Sequence, residues 1–140
     1  MTKPMLVLVA LMAFSLAGAV AQAEEIRPSE AACDSKKMGG GELAECLRKA
    51  AEHADNDVRA AVEAAVKSID GRQGVLSKQK ARWRRSLNEA QAQWYAWRDT
   101  ECQDVAPFEA GVAGRGADPR LACIIDYDAA RVASLKSRYP

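Results

Sequence analysis

The stretch LNEAQAQWYAWRDTEC, Leu87 to Cys102, holds two of the chain's three Trp residues, one Cys and a polar face. At 3.6 residues per turn, Leu87, Ala90, Trp94 and Trp97 fall at steps of three and four and share one face. That spacing predicts an amphipathic helix. Two buried indoles together contribute several kcal/mol, at about 25 cal/mol per Å² of apolar area. The expectation is that the other helices pack on this stripe and that its Trp residues are core.

Working backwards, the helix is predicted to start at Ser77, read as its N-cap, and to run to about Asp104, with Trp83 at the head of its apolar stripe. Its first turns carry Lys78, Lys80, Arg82, Arg84 and Arg85. Residues 78–102 hold six bases and three acids, net +3, while residues 42–70 hold seven acids and four bases, net −3. Opposite charge steers two antiparallel helices together. The basic run is therefore read as a solvated face beside an acidic neighbour, not as a nucleic-acid patch. Cations at a helix start oppose its dipole, so something in the fold must compensate them.

The preceding segment supplies that neighbour. Leu43, Leu47, Ala50, Ala54, Val58, Ala61 or Val62, Ala65 and Ile69 repeat at helical steps and predict a helix from about Glu42 to Ile69. Gly71 is placed to end it in a left-handed conformation. Upstream, Pro28 and Gly39-Gly40-Gly41 read as an irregular lead-in from Glu24 to Gly41. Downstream, Pro107, Gly111, Gly114 and Gly116 mark Val105 to Ala117 as a loop. Asp118-Pro119 then reads as an N-cap and first helical residue. A third helix follows to about Arg138, with Leu121, Ile125, Asp128 or Ala129, Val132, Leu135 and Tyr139 on its face. No strand pattern appears. The fold class is all-α, a three-helix antiparallel bundle running up-down-up.

Lys3, the apolar run Met5–Val20 and Ala21-Gln22-Ala23 read as a signal peptide over residues 1–23, with cleavage after Ala23 the first choice and Ala19-Val20-Ala21 the second. The run is too short to span a bilayer, so no stable membrane anchor is expected. One helical domain is left at 24–140, periplasmic or secreted. Lys and Arg number 20 against 19 Asp and Glu; losing Lys3 brings the net charge to zero. Nothing in that balance points to nucleic acid or an anionic membrane as the main partner.

Cys33, Cys46, Cys102 and Cys123 all lie in the exported part. An even count in a small exported chain argues for two disulfides. Three pairings are possible; Cys33–Cys46 and Cys102–Cys123 are preferred, because each pair flanks one local loop. No C-x-x-C spacing occurs and His53 is the single His, so no zinc site, redox motif or cofactor is expected. Catalysis by Ser-His-Asp would have to use His53, with no nucleophile motif beside it. His53 reads as a solvated surface residue. The chain is expected to be a protein-binding module and not an enzyme.

The same residues resemble the LprI-like lysozyme-inhibitor domain. The central pattern L-x-x-x-Q-x-x-W-x-x-x-R-D-x-x-C is met by Leu87, Gln91, Trp94, Arg98, Asp99 and Cys102. Cys33 and Cys46 fit the early cysteine pair. In the A-D-x-x-L-N-x-x-Y segment Ala54 and Asp55 match, while Val58, Arg59 and Val62 stand where Leu, Asn and Tyr are usual. In the last segment Cys123, Arg131 and Leu135 fit, and Asp128 replaces Thr. The resemblance implies an all-helical fold and a protein partner, a lysozyme or other muramidase whose cell-wall cleavage is blocked. The alternative is a periplasmic accessory, immunity or assembly factor without lysozyme inhibition.

Asp55, Gln91, Arg98 and Arg131 occupy matched positions on three helices and are expected to form an interhelical network, since the guanidinium fork suits paired carboxylates. The competing expectation leaves Arg98 and Asp99 exposed to a partner. Phe108 and Arg115, in the loop clipped by the second disulfide, are the candidate partner contacts.

Overall fold

Alanine-rich spacing does build the longest element. In the computed structural model, which describes residues 26–111 and 117–140, the order is α1 (Pro28–Ala32), α2 (Gly40–Gly71), α3 (Ser77–Thr100), a π-helical turn (Glu101–Val105), α4 (Ala106–Ala110) and α5 (Pro119–Arg138). No strand occurs among the described residues. The expected signal segment and Arg115 lie outside them.

α2 and α5 run parallel, and α3 runs antiparallel to both. The chain fixes this at both ends. Near the start of α2, Leu43, Leu47 and Ala51 pack with Cys33 and with Ile125 of α5. Near its end, Ala61, Ala65 and Ile69 pack with Leu87, Leu135 and Tyr139. Small Ala side chains bring helix axes close, at little burial per residue. Two apolar clusters result. A polar layer, described below, lies between them.

Both expected disulfides are present, Cys33–Cys46 and Cys102–Cys123. They close loops of 13 and 21 residues in sequence separation. Each removes about 3 kcal/mol of chain entropy from the unfolded state. They lie at one end of the bundle, here called the disulfide end; the α2–α3 turn lies at the opposite, distal end.

Several expected boundaries are corrected. The lead-in is not wholly irregular: α1 forms there, because Asp126 of α5 accepts from the Ser29 N–H at 2.8 Å and from its hydroxyl at 3.1 Å. Ser77 is the first residue of α3 and not its cap; the Gln79 side chain instead closes back on the Leu76 N–H at 3.2 Å. Positive φ in the α2–α3 turn falls on Gly74, at 73°, while Gly71 stays helical. The region after Asp104 is not a loop until Gly111. Pro107 has no N–H for the helical ladder, and the chain passes it through one wide π turn into α4. The N-cap at Asp118 is as expected, with its carboxylate accepting from the Arg120 N–H at 3.0 Å.

The largest correction concerns α3. Its inward face is Leu87, Gln91 and Arg98, with Trp94 half-buried and Cys102 beyond. Ala90 is exposed and Trp97 is 47% exposed. The apolar stripe was read one position off because two of the inward residues are polar.

The compensation required by the basic start of α3 is found at the end of α2. Arg84 pairs with Asp70 at 2.7 Å, and the Lys80 ammonium donates to the Asp70 carbonyl at 2.6 Å. That carbonyl belongs to the negative end of the α2 dipole.

Candidate functional site

Arg98 is the centre of the polar layer. α3 carries it inward between α2 and α5, where its residue is 7% exposed. Its Nη1 donates to Asp128 Oδ1 at 2.7 Å and to Asp55 Oδ1 at 3.1 Å. Its Nε and Nη2 donate to Asp99 Oδ1 at 3.0 and 2.8 Å. One guanidinium thus holds carboxylates from three helices.

Aromatic rings close the sides. The Arg98 guanidinium carbon lies 4.7 Å from the Tyr95 ring centroid and 5.5 Å from that of Trp94. Arg131 of α5 sits 5.4 Å from the same Trp94 ring and donates to Gln91 Oε1 at 2.9 Å. Asp55, Gln91, Trp94, Arg98, Asp99 and Arg131 therefore belong to one connected cluster. Arg98 is not on the outer surface, which removes it as a direct partner contact; Asp99, with its side chain 57% exposed, stays at the rim.

The electrostatics separate the two buried-side carboxylates. At Asp55 partial burial favours the neutral form, but hydrogen bonds from Arg59 and Arg98 outweigh it and hold the carboxyl below its ordinary value. Asp128 is fully buried, and desolvation pushes its carboxyl up against the pull of Arg98. Burial alone lowers a guanidinium pKa, yet the bonds to Asp128, Asp99 and Asp55 keep that of Arg98 above its ordinary value. The cation is permanent. Asp128 Oδ2, Gln91 Nε2 and the Tyr95 hydroxyl are buried without a protein partner.

This cluster contains no nucleophile and base in mutual reach, and no group of three or more metal-ligating side chains occurs among the described residues. Its chemistry is positional. It joins α2, α3 and α5 at one height through opposed charges.

Profile comparison over residues 33–135 matches the family described as lysozyme inhibitor LprI. The chain belongs to the LprI lysozyme-inhibitor family. No curated protein and no solved structure matches it. The LprI match begins at the first disulfide cysteine and ends at Leu135, so it takes in both disulfides and the whole polar layer.

Within the LprI pattern the departures acquire physical meaning. Asp128, where Thr is usual, is the shortest partner of Arg98. Arg59, where Asn is usual, pairs with Asp55 at 3.0 Å through its Nε. Val58, in place of Leu, remains fully buried. At both positions the side chain is charged and paired, Asp128 with Arg98 and Arg59 with Asp55.

The candidate contact Phe108 lies on α4 and is 86% exposed. Beside it, Arg27, α4, the π turn and α5 enclose a cleft of about 630 Å³ lined by Arg27, Glu101, Glu109, Asp126 and Tyr127 among others. Trp97 meets Tyr127 edge-on, with centroids 4.9 Å apart. Trp97 is exposed and leans on the half-buried Tyr127, whereas the sequence put Trp97 in the core; its outward place was signalled only by the motif spacing itself. His53 is exposed, as expected, and pairs with Asp57 at 3.1 Å.

Proposed function

We propose that the protein is an exported binding module that inhibits a lysozyme-type muramidase by docking through its disulfide end, without catalysing a reaction of its own. The family match across both disulfides carries this reading. Two features of the surface support it. Phe108 projects from a short helix held next to the Cys102–Cys123 bridge, so little conformational entropy is lost when it is buried. Around it, residues 99–126 carry six carboxylates against the cations Arg115 and Arg120; Asp99 and Asp126 are paired with Arg98 and Arg27, which leaves Glu101, Asp104, Glu109 and Asp118 without an ion pair among the described residues.

That local charge answers an objection raised by the neutral total. Many lysozymes are basic, and a net charge of zero offers no long-range attraction. A molecule with an acidic end does, over about 10 Å at ordinary salt. Phe108 is the apolar anchor in this reading, and Asp104 and Glu109 form its charged rim. Arg115 belongs to the same proposed contact but lies outside the described residues.

The test is a turbidity assay of muramidase acting on cell walls with purified protein in micromolar excess. Slower clearing is expected, and Phe108→Ala weakens inhibition by about thirtyfold, the scale of a central interface anchor. Unchanged clearing with the intact protein overturns the reading.

A further inference from the structure

The zero net charge of the exported chain is the sum of two opposite ends. At the distal end, residues 63–89 together with Lys136 and Arg138 bring nine basic side chains to three acidic ones, Glu63, Asp70 and Glu89. The contacts between Trp83 and Tyr139 and between Ser68 and Pro140 place the end of α5 beside the α2–α3 turn. Arg72, Lys78, Arg82, Arg85, Lys136 and Arg138 are all exposed there. None of the six makes an ion pair among the described residues; the one distal carboxylate in an ion pair, Asp70, is taken by Arg84.

At the tip of this collar stands Leu76, 69% exposed, in the turn between α2 and α3. A single exposed Leu is ordinary on a protein surface. Its place is not: it stands in the turn between Arg72 and Lys78, at the end of the bundle where six exposed cations make no ion pair among the described residues. The first turn of α3 contains no acidic residue, so the cations there oppose the helix dipole without an acidic side chain of that turn to offset them. The fold uses Lys80 and Arg84 and leaves the rest unspent.

We propose that the distal end is a peripheral docking surface for an anionic phospholipid bilayer, with Leu76 entering the headgroup–acyl boundary and the basic collar lying on the lipid phosphates. Polybasic segments are attracted to anionic leaflets, and an apolar wedge adds the short-range part of such binding. A dissolved polyanion rewards the cations and has no use for the Leu. The distal aromatic that could stack on a base, Trp83, is instead turned to Tyr139, donating to its hydroxyl at 3.3 Å. Docked in this way, the acidic disulfide end is repelled from the same membrane and faces outward. The proposal does not depend on what the disulfide end binds.

The experiment is co-sedimentation of the exported, purified protein with vesicles of phosphatidylcholine alone or mixed with phosphatidylglycerol. Binding to the mixed vesicles only is expected, and it falls steeply with added salt. Arg82→Gln with Arg85→Gln lowers partitioning by about twenty-five-fold, at about fivefold per cation. Leu76→Ser lowers it by about tenfold, the low end for one Leu side chain. Both variants carry exposed substitutions, and their helical circular dichroism and their action on the muramidase are expected to match the parent. No binding to phosphatidylglycerol vesicles overturns the proposal. So does equal binding to phosphatidylcholine, which an apolar segment elsewhere in the chain would give. Indifference to Leu76→Ser, with equally tight binding to soluble heparin, also overturns it and assigns the surface to polyanions.

Discussion

Arg98 and Asp128 meet at 2.7 Å in the middle of the bundle, where the Asp128 side chain has no solvent exposure and that of Arg98 only 9%. The pair divides the apolar core into two clusters. A buried ion pair brings little net stability, because desolvation offsets attraction, but removing one member strands the other. Arg98→Leu and Asp128→Leu are each expected to cost roughly 3–5 kcal/mol. The double replacement costs clearly less than the sum of the two. Urea unfolding of the four proteins in a double-mutant cycle checks this; additive single effects would sink the pairing. Arg98→Lys is expected to recover only part of the loss, since one ammonium cannot reach Asp55, Asp99 and Asp128 as the fork does.

The acid side of the stability profile belongs to Asp55. Its folded pKa is lowered from the ordinary 3.8. The stability it contributes is present above the unfolded value and disappears as pH falls through the folded one. Asp128 has the opposite sign: its folded pKa is raised, so its contribution is complete at low pH and is lost as pH rises through that value. Asp55→Asn should therefore destabilise at neutral pH, with the gap to the parent closing in acid. Thermal melts between neutral pH and about pH 2 measure the gap; a gap that widens in acid would reverse the assignment.

The rotated face of α3 makes a sharp contrast between two adjacent positions. Ala90 is exposed, whereas Gln91 is 5% exposed and accepts from Arg131. Ala90→Lys is expected to change stability by no more than about 0.5 kcal/mol. Gln91→Leu leaves the Arg131 guanidinium without its acceptor and should cost roughly 1–3 kcal/mol. Chemical denaturation of the two variants decides between the faces, and a large loss from Ala90→Lys would restore the original stripe.

The second disulfide ties the π turn to α5. Cys102→Ala with Cys123→Ala removes the cross-link and should lower stability by about 3 kcal/mol. Because α4 follows that turn directly, the loss is expected to be local as well. Hydrogen exchange at residues 106–110 should accelerate more than at the centre of α2. Uniform acceleration along the chain would show that the bridge acts only on the unfolded state.

Much of the architecture was legible in the chain. The Ala, Leu and Ile spacing of α2, the Asp118-Pro119 start of α5 and the cysteine positions each rest on local chemistry, and local chemistry survives into the fold. The inward face of α3 was not, although the motif positions Leu87, Gln91, Trp94, Arg98 and Cys102 themselves step by three and four along a helix. Reading only apolar residues hides a face whose centre is Gln and Arg. α1 and the passage through Pro107 were hidden for a different reason: one waits on a carboxylate from α5, distant in sequence, and the other on a wide turn that no composition signals.

Sequence alone determined that this is a disulfide-clipped helical chain, because helix periodicity and cysteine count are properties of near neighbours. Only the tertiary structure decided that Asp128 completes the Arg98 cluster and that a chain with a net charge of only +1 has an acidic end and a basic one. Charge and burial depend on which distant residues share a height along the bundle, and that height is fixed by packing.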